Sequence, residues 1–218
     1  MSSALAHNSA RLPKALRGFS HINRYWDPVN HTFAAKILPG EYYVTTESEM
    51  ITTVLGSCIS ACIRDPNTGI GGMNHFMLPD YVDGGCTEWG ITGENAGARY
   101  GRFAMELLIS SLVKLGARKS DLEIKLFGGG RVLKLNFDIA ARNIEFIGEY
   151  MTSIGLPVRA EDLGGVCPRK VNYYPSTGSA WVRKLTIKNR TIVEREEQYL
   201  DFLHHIPLDK ENEYPESD

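Results

Sequence analysis

The chain has no long apolar run and no excess of basic residues, and both absences narrow its function. No stretch of the 218 residues approaches the roughly 18 consecutive apolar residues that span a bilayer, so membrane insertion is not expected. The formal net charge is −2, from 24 lysines and arginines against 26 aspartates and glutamates. Proteins that bind nucleic acids neutralise phosphates with basic residues, so a nucleic-acid partner is not expected either.

Cysteine is scarce, with only Cys58, Cys62, Cys86 and Cys167 in the chain. The N-terminal sequence MSSALAHNSARLPKALRG lacks the apolar core of a secretory signal, which favours the reducing cytoplasm and free thiols over disulfides. The cysteines lack the paired CxxC spacing of a tetrahedral metal site, so no metal is expected. No GxxxxGKS/T loop is present and no GxGxxG turn follows a strand, so the sequence predicts no nucleotide or other cofactor.

Length and composition fit one domain with extensions, since 43% of the residues are hydrophobic and can build a single core. Residues 1–40 are polar and contain three prolines. They are predicted to form an irregular N-terminal extension, either packed on the body through its aromatic residues or partly ordered. Residues 41–193 form the predicted folded domain, and the charged residues 194–218 form a C-terminal tail.

Hydrophobic periodicity predicts alternating strands and helices in the folded domain. A β-prone segment at 42–46 is followed by a hairpin, with strands at 58–64 and 70–78 around the turn sequence DPNTG. Apolar residues at helical spacing predict two helices, one ending before Gly116 and one over 139–154 ending before Gly155. Further strands are predicted at 122–127, 158–163, 169–174 and 180–187. This mixture favours an α+β fold over a parallel doubly wound sheet.

The hairpin pairs a candidate nucleophile with a candidate base. Cys58 begins one strand, directly after Gly56 and Ser57, and His75 lies on the partner strand. A thiol becomes a strong nucleophile when a neighbouring histidine favours its thiolate and later donates a proton. Isolated pairs of this kind also arise by chance, and a free cysteine is most often a small buried hydrophobe. The sequence around the pair is therefore needed to decide.

Seven segments around the pair resemble the CheD family of chemoreceptor glutamine deamidases. In order, they are LGSC, GIGGMNHFMLP, ARYGRFAMELLISSLVKLGA, LEIKLFGGG, IAARN, AEDLGG and RKVNYYPSTG, and the match extends from about Glu41 to about Ile187. The chain departs from the family at GGVCPR, where CheD sequences more often carry a Gly-Arg pair. The resemblance implies layered, mostly antiparallel β-sheets with helices packed on one face, similar to the catalytic domains of deamidating toxins.

The resemblance also implies an activity: hydrolysis of selected glutamine side chains on methyl-accepting chemotaxis receptors, through a thioester. Cys58 is then the nucleophile and His75 the general base and acid. The family places an orienting threonine six residues before the cysteine, which here is Thr52. Adjacent strand residues point to opposite faces, so Thr53 competes for that role. Backbone amides near Gly56 and Cys58 are the candidate donors to the oxyanion.

Two other functions remain open at this point. A chemotaxis adaptor would bind the receptors or a CheC-type phosphatase with little catalysis of its own. A cysteine protease or a transglutaminase-like enzyme would use the same nucleophile and base on a different substrate. Glutamine deamidation is favoured because the resemblance extends well beyond the Cys58–His75 pair.

Overall fold

A computed structural model describes residues 12–77, 101–132 and 139–186. From its glycine, aspartate and asparagine content, the sequence also predicts a surface loop over residues 79–97, which contains Cys86; this loop and the predicted tail at 194–218 lie outside the described residues. Within them the chain forms ten strands and two α-helices. In chain order these are β1 (Asn23–Asp27), β2 (Thr32–Lys36), β3 (Tyr42–Thr45), β4 (Met50–Leu55), β5 (Ile59–Arg64), β6 (Gly71–Asn74), α1 (Gly101–Lys114), β7 (Glu123–Gly128), α2 (Ile139–Ile154), β8 (Val158–Leu163), β9 (Arg169–Tyr174) and β10 (Ser179–Lys184).

The strands form two five-stranded sheets. The first sheet has the order β1-β2-β4-β9-β10 and the second has the order β3-β6-β5-β7-β8. Most neighbouring strands are antiparallel, but β2 pairs with β4 in parallel and β7 pairs with β8 in parallel. The second parallel pair is reached through α2, because a parallel connection needs a crossover. The predicted α+β class with mostly antiparallel sheets is confirmed.

The core lies between the sheets and under the helices. On β9 the residues alternate between buried and half-buried positions, so one face of the first sheet points inward. Its inward residues Ile51, Leu55 and Val171 belong to the same hydrophobic cluster as Ala61 and Met73 of the second sheet. Helix α1 packs on β3, β5 and β6, and α2 contacts α1, so both helices cover the second sheet.

The elements with the clearest periodic sequence patterns, helix α2 and the β5–β6 hairpin, lie where they were predicted. Helix α2 begins and ends where its apolar stripe predicted, and Gly116 and Gly155 follow the two helix ends with positive φ. The predicted hairpin is β5 paired with β6 in antiparallel register. Its turn is closed by Asp65, whose carboxylate accepts a hydrogen bond of 2.8 Å from the backbone of Asn67.

The prediction of an irregular segment before residue 40 is wrong for residues 23–36, which form the β1–β2 hairpin of the first sheet. Asp27 closes the turn of this hairpin by accepting hydrogen bonds from the backbone N–H groups of Val29 and Asn30. The five-residue strands are too short to show clear alternation. The pairing of β2 with β4 joins separate segments of the chain, and a local sequence pattern does not predict it.

Candidate active site

Cys58 and His75 lie at the open end of the β5–β6 hairpin. Within the described residues, the ladder ends at Ile59 and Phe76, which exchange backbone hydrogen bonds of 3.0 and 2.9 Å. Cys58 precedes Ile59 and His75 precedes Phe76, so the register places them diagonally on one side of the hairpin. Diagonal neighbours in such a register have Cα atoms about 7–8 Å apart, within reach of long side chains. Both residues are buried.

The imidazole of His75 is held by a hydrogen-bonded relay that fixes its tautomer. The Thr53 hydroxyl donates its single hydrogen to the carbonyl oxygen of Ile37 at 2.8 Å. It lies 2.8 Å from Nδ1 of His75 and must therefore accept a hydrogen from that nitrogen. The proton of the neutral ring then sits on Nδ1, which leaves Nε2 as the basic nitrogen. Nε2 is buried and has no hydrogen-bond partner among the described residues.

The hydrogen bond that the sequence assigned to Thr52 is made by Thr53, and the assignment of that contact to Thr52 is wrong. On β4, Thr53 pairs with the inward residue Val171 and points between the sheets. Thr52 points to the outer face, where its hydroxyl lies 2.7 Å from Oδ1 of Asn172. The sequence left Thr53 as the competing candidate because alternation alone cannot say which of two adjacent residues faces inward.

Burial determines the charge of His75. Desolvation lowers the pKa of His75 to about 3, because the buried site disfavours the imidazolium. The ring is therefore neutral at physiological pH. Burial therefore disfavours a resting thiolate–imidazolium ion pair, and the neutral ring can act only by taking the thiol proton during attack.

A glycine triplet at the end of β7 holds the loop that carries Cys58. The N–H of Gly129 donates to the carbonyl of Cys58 at 2.8 Å, and the N–H of Gly130 donates to the carbonyl of Gly56 at 2.7 Å. Gly128 has φ of 121°, and a Cβ atom there would stand 2.0 Å from the Cys58 carbonyl oxygen. Only glycine allows this approach.

Sequence analysis missed Asn143, which also binds this loop from helix α2. Its side-chain Nδ2 donates to the carbonyl of Ser57 at 3.1 Å and to the carbonyl of Met77 at 2.8 Å. Asn143 is fully buried. One feature of the sequence could have identified it. Asn143 is a polar residue within a helical stripe whose other members, such as Ala140 and Ile147, are apolar.

The other two described thiols differ from each other in burial. Cys62 is fully buried on β5, and burial raises the pKa of its thiol well above the ordinary value. Cys167 is partly exposed and forms no disulfide with another described cysteine. Among the described residues, no three His, Cys, Asp or Glu side chains are grouped as metal ligands would be.

Neither described helix is both long and apolar enough to cross a bilayer.

The fold and the site define a class: an α+β protein of two packed five-stranded sheets, with a cysteine and a relay-held histidine at the end of a buried hairpin. Comparison with known proteins narrows this class. The family model described as CheD chemotactic sensory transduction matches residues 77–184.

Three curated relatives, each named probable chemoreceptor glutamine deamidase CheD, match almost the whole chain. The protein from Halorhodospira halophila is 51% identical over 94% of this chain and 95% of its own length. Those from Hahella chejuensis and Saccharophagus degradans are 46% and 50% identical, over 90% and 91% of this chain and 92% of each relative. The chain belongs to the CheD family, as its sequence motifs indicated.

Proposed function

We propose that this protein is a cytoplasmic enzyme that converts selected glutamine side chains of methyl-accepting chemotaxis receptors to glutamate. The names of the three curated relatives support the substrate class. The observation that carries the chemistry is the relay from His75 through Thr53 to the Ile37 carbonyl. It leaves a buried basic nitrogen on the side of the hairpin where Cys58 lies.

In the first half of the reaction, Nε2 of His75 takes the proton of the Cys58 thiol as the sulfur attacks the carboxamide carbon. The imidazolium is stabilised because its Nδ1–H still donates to Thr53. When the tetrahedral intermediate collapses, the C–N bond breaks and Nε2–H gives its proton to the departing nitrogen, which leaves as ammonia. The acyl group remains on the sulfur as a thioester.

In the second half, Nε2 of His75 removes a proton from water as the water oxygen attacks the thioester carbon. The C–S bond breaks, the thiolate of Cys58 recovers a proton from His75, and glutamate is released. No group outside the protein and water is required in this scheme, because the sulfur, the imidazole and backbone amides cover each step.

The deciding experiment is mass spectrometry of receptor cytoplasmic fragments co-expressed with this protein or with its Cys58→Ala variant. We expect glutamine-to-glutamate conversion with the wild type and none with the variant. Conversion that persists in Cys58→Ala would overturn the thioester mechanism. Receptor binding without any conversion by the wild type would instead identify an adaptor, and co-purification then would show whether a CheC-type phosphatase is its partner.

A further inference from the structure

We propose that Asn143 is a positioning residue for the thiol of Cys58, acting through the peptide that precedes it. This inference rests on the proposed function and names a residue that the mechanism above does not use. Asn143 lies on α2, outside the sheet that carries the hairpin, and its side chain reaches the hairpin where the ladder ends. Its two acceptors lie on the chain segments that carry Cys58 and His75.

Asn143 links the two chain segments next to the Ile59–Phe76 pair. The carbonyls of Ser57 and Met77, on either side of that pair, both accept hydrogen bonds from Nδ2 of Asn143. Both amide hydrogens are used in this way, one for each carbonyl. One side chain thus links the loop before the thiol to the strand that follows the imidazole.

The same contact orients the peptide unit of the nucleophile. The three successive carbonyls of Gly56, Ser57 and Cys58 accept hydrogen bonds from Gly130 N, Asn143 Nδ2 and Gly129 N. A trans peptide is planar and its C=O and N–H point in opposite directions. Fixing the Ser57 carbonyl towards α2 therefore directs the N–H of Cys58 away from α2, and this orientation sets the position from which the side chain of Cys58 departs.

The amide of Asn143 serves the loop at a cost to its own oxygen. Its Oδ1 is buried and has no hydrogen-bond partner among the described residues. An apolar residue at this position of the helix stripe would avoid that penalty, but it would remove the donor to the carbonyls of Ser57 and Met77. The amide is therefore expected where these two chain segments must be held together.

The test compares Asn143→Asp and Asn143→Ala with Ile147→Val, a conservative change at a buried position one helical turn further along α2. Asn143→Asp keeps the shape, but its carboxylate cannot donate to two carbonyls. We expect kcat for receptor deamidation to fall roughly 10- to 100-fold in both Asn143 variants, since small misplacements of a reacting group have effects of this size. The KM should change little, because Asn143 is fully buried and cannot contact a protein substrate in the folded enzyme, and Ile147→Val should retain the wild-type kcat.

A second measurement needs no receptor. Iodoacetamide labelling of Cys58, followed by peptide mass spectrometry over a range of pH, should be slower in both Asn143 variants, with Cys62 still protected. Faster labelling of Cys58 and Cys62 together would show a loosened core and overturn the inference, as would an unchanged kcat or a failure of both variants to fold. Deamidation that does not need Cys58 would instead refute the proposed thioester mechanism, and the absence of deamidation by the wild type would refute the proposed function; the labelling result would stand separately in either case.

Discussion

Thr52 and Thr53 are adjacent residues of one type whose side chains lie on opposite faces of β4, so they form a matched pair for testing the His75 relay. Thr53→Val removes the hydroxyl that accepts from Nδ1. A hydrogen bond to a charged group contributes about 1.5–3 kcal/mol, and His75 is charged when it has taken the thiol proton. We expect deamidation to slow roughly 10- to 150-fold, measured as initial rates on a receptor fragment.

Thr53→Ser retains the hydroxyl and should retain most of the rate. Thr52→Val loses only contacts on the outer face of the first sheet and should leave the rate near the wild-type value. A large loss in Thr52→Val, with Thr53→Val unaffected, would restore the original assignment from the sequence and remove Thr53 from the relay.

The buried, neutral state of His75 predicts a pH dependence of stability. Its pKa is about 3 in the folded protein, against about 6.5 for an unfolded histidine. The unfolded chain therefore binds more protons between these values, so the stabilisation is fully present above about pH 6.5 and is lost as pH falls towards 3. Between these two pH values, His75 alone should change the free energy of unfolding by up to about 1.4 kcal/mol per pH unit.

The measurement is urea denaturation of the wild type and of His75→Gln at about pH 7.5 and about pH 5. Comparing the two proteins cancels the contribution of the carboxylates to the pH dependence. These include Asp27 and Asp65: burial acts to raise their pKa values, but hydrogen bonds from backbone N–H groups outweigh it and the pKa values are lowered. We expect the wild type to lose more free energy of unfolding than the variant on acidification. Parallel losses in the two proteins would show that His75 is not held neutral by burial.

At the scale of elements, the close packing of β7 against the Cys58 loop predicts that Gly128 tolerates no side chain. In Gly128→Ala the new methyl group would stand 2.0 Å from the Cys58 carbonyl oxygen, on a backbone with φ of 121°. The backbone conformation alone costs about 1–3 kcal/mol for a non-glycine residue. We expect a lower melting temperature together with a loss of deamidation.

The control is Gly148→Ala on α2, where a Cβ atom would meet nothing within 4 Å. Alanine is favoured over glycine in a helix by about 0.5–1 kcal/mol, so this variant should be as stable as the wild type or more so, with full activity. Equal behaviour of the two alanine variants would show that the loop does not pack on Gly128 as the structure has it.

The elements also show what local sequence can predict. The bounds of α2 followed from its apolar stripe, and the β5–β6 hairpin followed from alternation and turn residues. The side of β4 that faces inward could not be predicted in this way. Met50, Ile51, Thr52 and Thr53 are all buried, so the strand shows no alternation of buried and exposed residues there. Which threonine meets His75 is decided by pairing with β9, more than 100 residues later in the chain.

At the scale of the whole molecule, the arrangement of strands into sheets was the part that the sequence did not predict. The β2–β4 and β7–β8 pairs are parallel, and each is fixed by contacts between separated segments. The α+β class was predictable because it depends on local pattern, whereas the helices on one face were implied by the resemblance to the family. The role of Asn143 depends on where α2 docks and was therefore not visible.

A buried ion pair attaches the N-terminal hairpin to the rest of the molecule. Arg24 on β1 contacts Oε2 of Glu49 at 2.9 Å, with side-chain exposures of 5% and 0%. The other carboxylate oxygen accepts hydrogen bonds of 2.7 Å from Tyr43 and Thr45, so the acid is satisfied on both sides. The hairpin that the sequence treated as an extension is thus tied to β3 and to the loop before β4.

Because removing one partner leaves the other charge buried, we expect Arg24→Met to lower the free energy of unfolding by about 3–5 kcal/mol. The matched control is Arg118→Met, whose pair with Asp121 involves an arginine that is 72% exposed, and such surface pairs contribute only about 0–1 kcal/mol. Equilibrium urea denaturation of both variants measures the difference. Similar small losses in the two would mean that the N-terminal hairpin is held by apolar packing and sheet pairing alone. A large loss in Arg24→Met only, with residual deamidation proportional to the folded fraction, would make residues 23–36 part of the folding unit that supports the site.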